Sequence, residues 1–246
     1  MIKRILAILG VVAGLGLLVA ASVLIVNNQS TGGNTTTSDS SRYTTESILG
    51  IVETTDYSEF NPDSVIAPNA LNGDLPERVI GDLSTASVVI YEYADYACSH
   101  CAEMNTALKK LVDDYGGKVA VVFRGYLLNG YPNNVAAASA ASAAAIQGYW
   151  EKFKNLVFSD QATWFYLKGD KAITHFGELF VEASDGKGDL DKFYEDMKSN
   201  SVARKLAFDF AMGEAIELTG TPTFRINGEK VTAPDLQSTI DAALAK

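Results

Sequence analysis

Cysteine and histidine are scarce in this sequence of 246 residues, which has two of each. Structural disulfide frameworks need more cysteines at wider spacings, and the short loop that Cys98 and Cys101 would close constrains the unfolded chain little. A structural zinc ion needs four ligands, and His100 lies between the cysteines, where it could hardly complete the same tetrahedron; carboxylates stay open as alternative ligands. His175 lies on a predicted amphipathic helix and is interpreted as a surface or packing residue. The cysteine pair is therefore predicted to serve chemistry, with no metal.

Basic residues are also few. The chain has 20 Lys and Arg against 30 Asp and Glu, so its formal net charge is −10. Such an excess of negative charge repels phosphate backbones, which argues against a nucleic-acid partner.

One long hydrophobic run is present near the N-terminus, where residues 5–26 carry no charge and follow Lys3 and Arg4. About 20 apolar residues cross a bilayer as a helix, whereas the apolar part of a cleaved signal peptide has about 7–15. We therefore predict a transmembrane anchor at residues 1–26, with cleavage near residues 20–22 as the alternative. The positive-inside rule then places the two basic residues in the cytoplasm and the catalytic domain outside, on a single-pass protein of the cell membrane.

Composition divides the remaining chain into two parts. Residues 27–75 begin with a tract of Asn, Gln, Ser, Thr and Gly that cannot bury enough apolar surface to fold, and they are interpreted as a flexible linker and lead-in. Residues 76–246 carry the patterns of a folded domain. In it, residues 88–93 and 119–123 are rich in β-branched and aromatic side chains and predict two buried strands.

Helical patterns fill most of the predicted domain. Apolar residues at helical spacing follow the cysteines, and the resulting β-α-β order favours a parallel pair with a right-handed crossover. A helical insertion is predicted at about residues 132–218, beginning with an alanine-rich tract. Asn227-Gly228 between two short apolar runs is a strong hairpin signal, and residues 232–235 resemble a capping box before a final helix.

The cysteine pair follows the first predicted strand and opens the helix. Two intervening residues place both sulfurs on the first helical turn, close enough to form a disulfide. The unpaired N–H groups at a helix N-terminus favour an anion at Cys98, and thiols in such places have pKa values of about 3.5–7.5. His100 lies beside Cys98, and an imidazole N–H there would add a hydrogen bond to the thiolate. Lowering the pKa of Cys98 stabilises the reduced state, so a more oxidising disulfide is expected.

Three segments of the chain point to one known family. They are residues 81–101, with Glu92-Tyr93, Asp95-Tyr96 and Cys98-Ser99-His100-Cys101; Gly220-Thr221-Pro222-Thr223-Phe224 with Asn227-Gly228; and Gly148-Tyr149-Trp150 in the helical block. Together they resemble the DsbA-like thiol:disulfide oxidoreductases, over about residues 78–245. The resemblance implies an α/β, thioredoxin-like fold with an all-helical insertion.

The resemblance also implies roles for individual residues. Cys98 would be the exposed, attacking cysteine and Cys101 the resolving one. Thr221 and Pro222, on a cis-proline loop, would lie across from the cysteines and hold extended substrate backbone. Glu92 matches a buried acid that assists proton movement, and burial in an apolar strand would favour its neutral form.

The predicted function is an extracytoplasmic oxidase that introduces disulfides into exported proteins with free cysteines. The resemblance implies reoxidation by a membrane quinone-linked thiol oxidase; we expect a monomer without a cofactor. Two residues bear on the choice between an oxidase and an isomerase or reductase. Many tethered relatives have Pro at the position of Ser99, and related isomerases share Thr221. A disulfide isomerase or reductase is the alternative, although residues 27–75 look too polar and short for an isomerase dimerisation domain. A tethered chaperone or binding module with a vestigial cysteine pair is the non-enzymatic alternative.

Overall fold

The computed structural model describes residues 43–246, and five strands and nine α-helices occur among them. The strands are β1 (Arg78–Ile80), β2 (Val88–Ala94), β3 (Val119–Gly125), β4 (Thr223–Ile226) and β5 (Glu229–Val231). The helices are α1 (Thr45–Thr54), α2 (Ser99–Asp114), α3 (Asn134–Ile146), α4 (Trp150–Ser159), α5 (Gln161–Trp164), α6 (Asp170–Ala183), α7 (Leu190–Met197), α8 (Asn200–Glu214) and α9 (Leu236–Leu244). No helix within residues 43–246 is both long enough and apolar enough to cross a bilayer. The predicted anchor at residues 1–26 and the predicted linker at residues 27–42 lie outside the described part.

The strands form one mixed sheet in the order β1-β3-β2-β4-β5. β2 and β3 are parallel, which confirms the pairing that the β-α-β order predicted. β4 and β5 form the predicted hairpin, in which Asn227 and Gly228 have φ values of 52° and 82°; two-residue hairpin turns favour such positive angles. The edge strand β1 pairs antiparallel with β3 and has only three residues, too few for a periodic pattern to reveal it.

Both faces of the sheet are buried, because successive side chains of a strand point to opposite faces. On one face, Ile90 and Phe123 belong to the apolar cluster that contains the two cysteines and much of the helical insertion. On the other face, Tyr91 and Val122 pack with Phe208 of α8. Covering on two sides explains why β2 and β3 appear in the sequence as nearly continuous apolar runs.

The lead-in predicted before residue 76 is part of the same packed body in its described portion. α1 packs against α8, and Ile48 of α1 is completely buried. A reciprocal pair of hydrogen bonds between Thr44 and Ser47 caps α1. The hydroxyl of Tyr93 donates to the carbonyl oxygen of Pro62 at 3.0 Å. A mostly polar composition before residue 76 therefore concealed one apolar helix face.

The capping box expected at residues 232–235 does not form. The Thr232 hydroxyl donates to the carboxylate of Asp235 at 2.5 Å and makes no side-chain cap to a backbone N–H. A short 3-10 helix, Ala233–Asp235, precedes α9 instead. The N–H of Asp235, which a capping box would direct to the Thr232 hydroxyl, donates instead to the backbone carbonyl of Thr232 at 3.0 Å.

Five charged side chains form a buried cluster where β1 and β3 meet α8. Their charges are paired: Lys205 Nζ lies 2.9 Å from Glu77 Oε2 and 2.8 Å from Asp209 Oδ1, Arg124 Nη2 lies 2.7 Å from Glu77 Oε1, and Arg78 pairs with Asp209. Burial raises the pKa of Glu77, but the two adjacent cations overcome it and hold that pKa at about 2. This cluster was not predicted from the sequence, since its paired members are up to 131 positions apart.

Candidate active site

A short loop carries the chain from β2 to α2, and Asp95 organises it. One carboxylate oxygen accepts from the N–H of Ala97 at 2.8 Å, and the other accepts from the N–H of Leu128 at 2.7 Å and from the amide of Asn134 at 3.1 Å. Its backbone carbonyl accepts from the N–H of Cys98 at 3.0 Å. Burial raises the pKa of Asp95 to about 6, and the Cys98 thiolate contributes to the rise, whereas these hydrogen bonds oppose it. Asp95 was not among the predicted site residues, although an Asp three positions before a helix start is a turn signal.

Cys98 is the N-cap residue of α2, as the sequence predicted, and Cys101 lies in the first turn. Both are free thiols, and Cys101 is fully buried. Cys98, which the resemblance implied to be exposed, is only 4% exposed, because the loop at Thr221 lies against its sulfur. The Cys101 thiol donates a hydrogen bond to the Cys98 sulfur and, against the effect of burial, lowers the pKa of Cys98 to about 5. The same hydrogen bond and burial raise the pKa of Cys101. The pair therefore presents a thiolate at Cys98 with a protonated thiol behind it.

His100 supports the thiolate through its backbone N–H group, together with that of Cys101. Its side chain is exposed, and among the hydrogen bonds of residues 43–246 none joins the imidazole to Cys98. The contact predicted between imidazole and thiolate is therefore missing. The physical reason is that N–H groups at a helix N-terminus point along the axis towards the cap, whereas side chains point outward.

The proline loop lies across from the cysteine pair. The Thr221–Pro222 peptide bond is cis, as the family resemblance implied. The sulfur of Cys98 lies 3.4 Å from the carbonyl oxygen of Thr221, to which it donates when it is protonated. A groove of about 450 Å³ begins here, and His100 and Phe224 also line it. The structure thus brings four of the predicted residues together around the sulfur of Cys98: His100, Cys101, Thr221 and Pro222.

Glu92 is buried in β2 on the face that the cysteines share, since it alternates with Tyr91 and Tyr93 on the other face. Burial raises the pKa of Glu92 to about 7, and the ammonium group of Lys154 partly offsets the rise. Lys154 is itself buried in α4, which lowers its pKa, and its Nζ lies 5.3 Å from the centre of the Trp150 ring. Lys154 was not among the site residues predicted from the sequence. The only sequence feature that could have indicated it is a lysine among the apolar residues of one predicted helix.

Two hydrogen bonds attach the helical insertion to the loop before Cys98. Trp150 Nε1 donates to the Tyr96 hydroxyl at 2.9 Å, and Gln161 Nε2 donates to the Tyr96 carbonyl at 2.7 Å. The Gly148-Tyr149-Trp150 segment therefore contacts the site through its tryptophan, which is buried.

His175 lies elsewhere, in α6. Its Nε2 is 2.5 Å from a carboxylate oxygen of Asp160, and its Nδ1 is 3.2 Å from one of Glu178. Within residues 43–246, no group of three or more His, Cys, Asp or Glu side chains is arranged to hold a metal ion.

Curated relatives resemble this chain over part of their length. The Na⁺/H⁺ antiporter NhaA 3 of Salinispora tropica is 30% identical over 160 residues, which are 65% of this chain and 23% of the antiporter. The Na⁺/H⁺ antiporter NhaA 1 of Mycolicibacterium gilvum is 27% identical over 154 residues, 61% of this chain and 23% of that protein. The chain thus spans about a quarter of the length of these relatives.

Solved structures share the fold. BdbD from Bacillus subtilis, in its oxidised form, superposes with a TM-score of 0.60 at 19% identity and covers 75% of this chain and 100% of its own. The thiol-disulfide exchange protein alpha-DsbA2 from Wolbachia pipientis gives 0.55 at 21% identity, with 70% and 89% covered. The family model described as Thioredoxin matches residues 74–246, a span that includes the cysteine pair and the cis-proline loop. The chain therefore belongs to the thioredoxin family.

Proposed function

We propose that the protein is a thiol:disulfide oxidoreductase that acts as an oxidase at Cys98 and Cys101. The observation that carries the proposal is the asymmetry of the pair. Cys98 has a pKa lowered to about 5 at the start of α2, and the buried Cys101 has a raised pKa. The Thr221 carbonyl beside Cys98 adds an acceptor at the place where extended substrate backbone would lie.

The exchange begins from the disulfide form. A substrate thiolate attacks the Cys98 sulfur, the Cys98–Cys101 bond breaks, and Cys101 takes up a proton. A second substrate thiolate then attacks the substrate sulfur of the mixed disulfide, and Cys98 leaves as a thiolate. Two electrons have passed from the substrate dithiol to the protein, and the substrate holds the new disulfide. The low pKa of Cys98 makes it a good leaving group in the second step.

The lowered pKa of Cys98 favours oxidation over reduction. The thiolate exists only in the reduced protein, so a stable Cys98 thiolate stabilises that state and makes the disulfide a stronger oxidant. Burial of Cys101 also slows its attack on a mixed disulfide, which is the step by which a reductase releases its substrate.

We further propose an extracytoplasmic, membrane-bound location, exported proteins with free cysteines as substrates, and a membrane quinone-linked thiol oxidase as the partner that restores the disulfide. Support comes from the apolar run at residues 5–26 and its Lys3-Arg4 flank. The resemblance to a segment of proteins named Na⁺/H⁺ antiporters agrees with a place at a membrane. Fractionation tests the location: a protein released from the membrane with an N-terminus near residues 20–22 would show a cleaved signal instead.

The activity is tested with the oxidised full-length chain in detergent micelles and a reduced, unfolded protein. We expect one disulfide to form in the substrate for each Cys98–Cys101 disulfide consumed, and none with a Cys98→Ser, Cys101→Ser double variant. The reduction potential should lie nearer to about −120 mV, as in strong oxidases, than to about −270 mV, as in thioredoxin. A value near the latter, with rapid insulin reduction, would establish a reductase. Suppressed aggregation without loss of thiols would establish a binding module.

A further inference from the structure

The side-chain hydroxyl of Thr221 is a buried polar group that the proposed exchange does not use. Its oxygen has no hydrogen-bond partner among residues 43–246, although buried polar groups in proteins are nearly always paired. The hydroxyl nevertheless lies close enough to the cysteine pair to lower the pKa of Cys98 and to oppose the rise in the pKa of Cys101. A donor without a partner is therefore available beside the two sulfur atoms.

Other polar groups surround the Cys98 sulfur. The Cys101 thiol donates a hydrogen bond to it, and the backbone N–H groups of Cys101 and His100 stabilise its thiolate. The carbonyl oxygen of Thr221 lies 3.4 Å away and can accept a hydrogen bond. These groups enclose the sulfur so closely that Cys98 is only 4% exposed.

The small exposed area and the polar groups together select a small, polar electrophile. Hydrogen peroxide is small enough to reach such a sulfur, and each of its oxygens carries one O–H donor and can also accept. One peroxide O–H can donate to the Thr221 carbonyl, while the other oxygen accepts from the Thr221 hydroxyl. Thiolates, rather than thiols, are the nucleophiles that attack peroxides, and Cys98 is the thiolate of the pair.

We propose that the reduced protein is also a thiol peroxidase, in which Cys98 reduces hydrogen peroxide and the Thr221 hydroxyl donates a hydrogen bond to the departing oxygen. The Cys98 thiolate attacks one peroxide oxygen, the O–O bond breaks, and the other oxygen leaves as hydroxide, which takes a proton from the solvent. Cys98 is now a sulfenic acid. The Cys101 sulfur then attacks the Cys98 sulfur, and the sulfenic oxygen leaves with the Cys101 proton as water. Two electrons have passed from the two sulfurs to the peroxide, which becomes two molecules of water.

The position of Cys101 suits the second step. The hydrogen bond to the Cys98 thiolate, burial and the charge of that thiolate all raise the pKa of Cys101. Formation of the sulfenic acid removes the thiolate, so two of these three causes vanish when Cys101 has to give up its proton. A thiol beside a sulfenic acid condenses with it to a disulfide, which prevents further oxidation to the sulfinic acid. The activity goes beyond the proposed function, because it forms the Cys98–Cys101 disulfide without a membrane partner.

The test mixes the reduced full-length chain in detergent micelles with hydrogen peroxide and a metal chelator. Mass spectrometry measures how fast the Cys98–Cys101 disulfide forms, and thiolate absorbance gives the thiolate fraction by which the rate is divided. We expect a rate per thiolate at least about tenfold above that of the same chain unfolded in urea, because donors aimed at developing negative charge accelerate a reaction by such factors or more. In Cys101→Ala, dimedone should trap the sulfenic acid on Cys98, whereas the parent chain should give little adduct.

Substitutions of Thr221 test the hydroxyl itself. Thr221→Val removes the donor at nearly constant volume, so the peroxide rate per thiolate should fall about tenfold, and Thr221→Ser should retain most of the rate. Alkylation by iodoacetamide releases iodide, which needs no hydrogen bond, so its rate per thiolate should stay the same in Thr221→Val. Thr106→Val, at an exposed position of α2, is the matched control and should change neither rate.

Several outcomes would overturn the peroxidase activity. They are an equal peroxide rate per thiolate in the folded and unfolded chains, an unchanged rate in Thr221→Val, and equal losses of the peroxide and alkylation rates in that variant. Sulfinic acid on Cys98 of the parent chain would likewise show that Cys101 does not intercept the sulfenic acid. If the disulfide form oxidises a reduced protein normally while the reduced form reacts slowly with peroxide, the peroxidase activity alone is rejected. Failure of both reactions would reject the proposed function as well.

Discussion

The sulfur of Cys98 lies 3.4 Å from the carbonyl oxygen of Thr221, although 123 positions separate the two residues in the chain. The antiparallel pairing of β4 with β2 creates this proximity, because it brings the loop before β4 to the end of β2 that precedes Cys98. The contact joins the first β-α-β unit to the last hairpin. The site is therefore complete only when both ends of the family domain have folded onto one sheet.

The lowered pKa of Cys98 predicts its reactivity. In the reduced full-length chain, alkylation of Cys98 by iodoacetamide should follow a titration curve with a midpoint near pH 5, where the thiolate forms. Cys101 should stay unmodified over the same range, because it is buried and its pKa is raised. Mass spectrometry of the alkylated peptides separates the two. Modification of both at equal rates would contradict the assignment.

The hydrogen bond from Cys101 predicts how substitutions change Cys98. Cys101→Ala removes the donor, so the pKa of Cys98 should rise, whereas Cys101→Ser keeps a donor and should raise it less. Both variants should accumulate mixed disulfides with substrate polypeptides, and Cys98→Ala should accumulate none. Thiolate absorbance gives the pKa, and non-reducing electrophoresis shows the trapped species. Equal trapping by Cys98→Ala and Cys101→Ala would reverse the roles of the two cysteines.

His100 gives a prediction that separates its backbone from its side chain. Because the N–H group of residue 100 remains in His100→Leu, the pKa of Cys98 should stay near its value of about 5 in the parent chain. The variant should instead change the affinity for polypeptides that enter the groove, which the imidazole lines. A rise of the Cys98 pKa by about one unit or more, with a more negative potential, would show that the imidazole stabilises the thiolate after all.

Local sequence patterns predicted the elements that carry the reaction. The apolar runs around Ile90 and Val121 gave the parallel strands, and Asn227-Gly228 gave the hairpin, because periodicity and turn chemistry depend on neighbouring residues only. The cysteine spacing placed Cys98 at the start of α2 for the same reason.

Features that depend on distant contacts were not predictable in this way. Lys154 acts on Glu92 of β2 from helix α4, and Asp95 accepts hydrogen bonds from Leu128 and Asn134. Each is an ordinary charged residue until the fold is known. The direction of the His100 side chain is a different case, because it follows from helix geometry alone: the backbone N–H of His100 faces Cys98, and its side chain points outward.

Neutralising a buried aspartate of the charge cluster should lower the free energy of unfolding more than neutralising an exposed aspartate. Asp209→Asn leaves Arg78 and Lys205 buried with their shared partner removed, so the free energy of unfolding should fall by about 3–5 kcal/mol. Asp114→Asn removes an exposed i,i+4 pair with Lys110 and should cost about 0.5 kcal/mol or less. Urea titration of the full-length chain in micelles measures both. Equal small losses would show that water reaches the cluster.

Glu92 predicts how stability changes with pH. Its pKa is about 7 in the folded chain against an ordinary value of 4.5, because burial favours the neutral carboxyl group. Between these two values the unfolded chain has released the proton and the folded chain has kept it. Unfolding therefore releases a proton in this window, and rising pH favours the unfolded state. The stabilisation present below pH 4.5 is lost as pH rises through 7, and it amounts to about 3 kcal/mol for such a shift.

Glu92→Gln should remove this pH dependence. The amide cannot ionise, so the free energy of unfolding of the variant relative to the parent should increase by about 3 kcal/mol between pH 4.5 and 8. The change of the free energy of unfolding with pH is the readout, because losing the attraction to Lys154 adds an offset of its own. Glu195→Gln, at an exposed position in α7, is the control and should leave the pH dependence unchanged. Parallel curves for the parent and Glu92→Gln would mean that Glu92 ionises in the folded chain as readily as in water. In that case Glu92 could not hold a proton near neutral pH for the Cys101 sulfur to use.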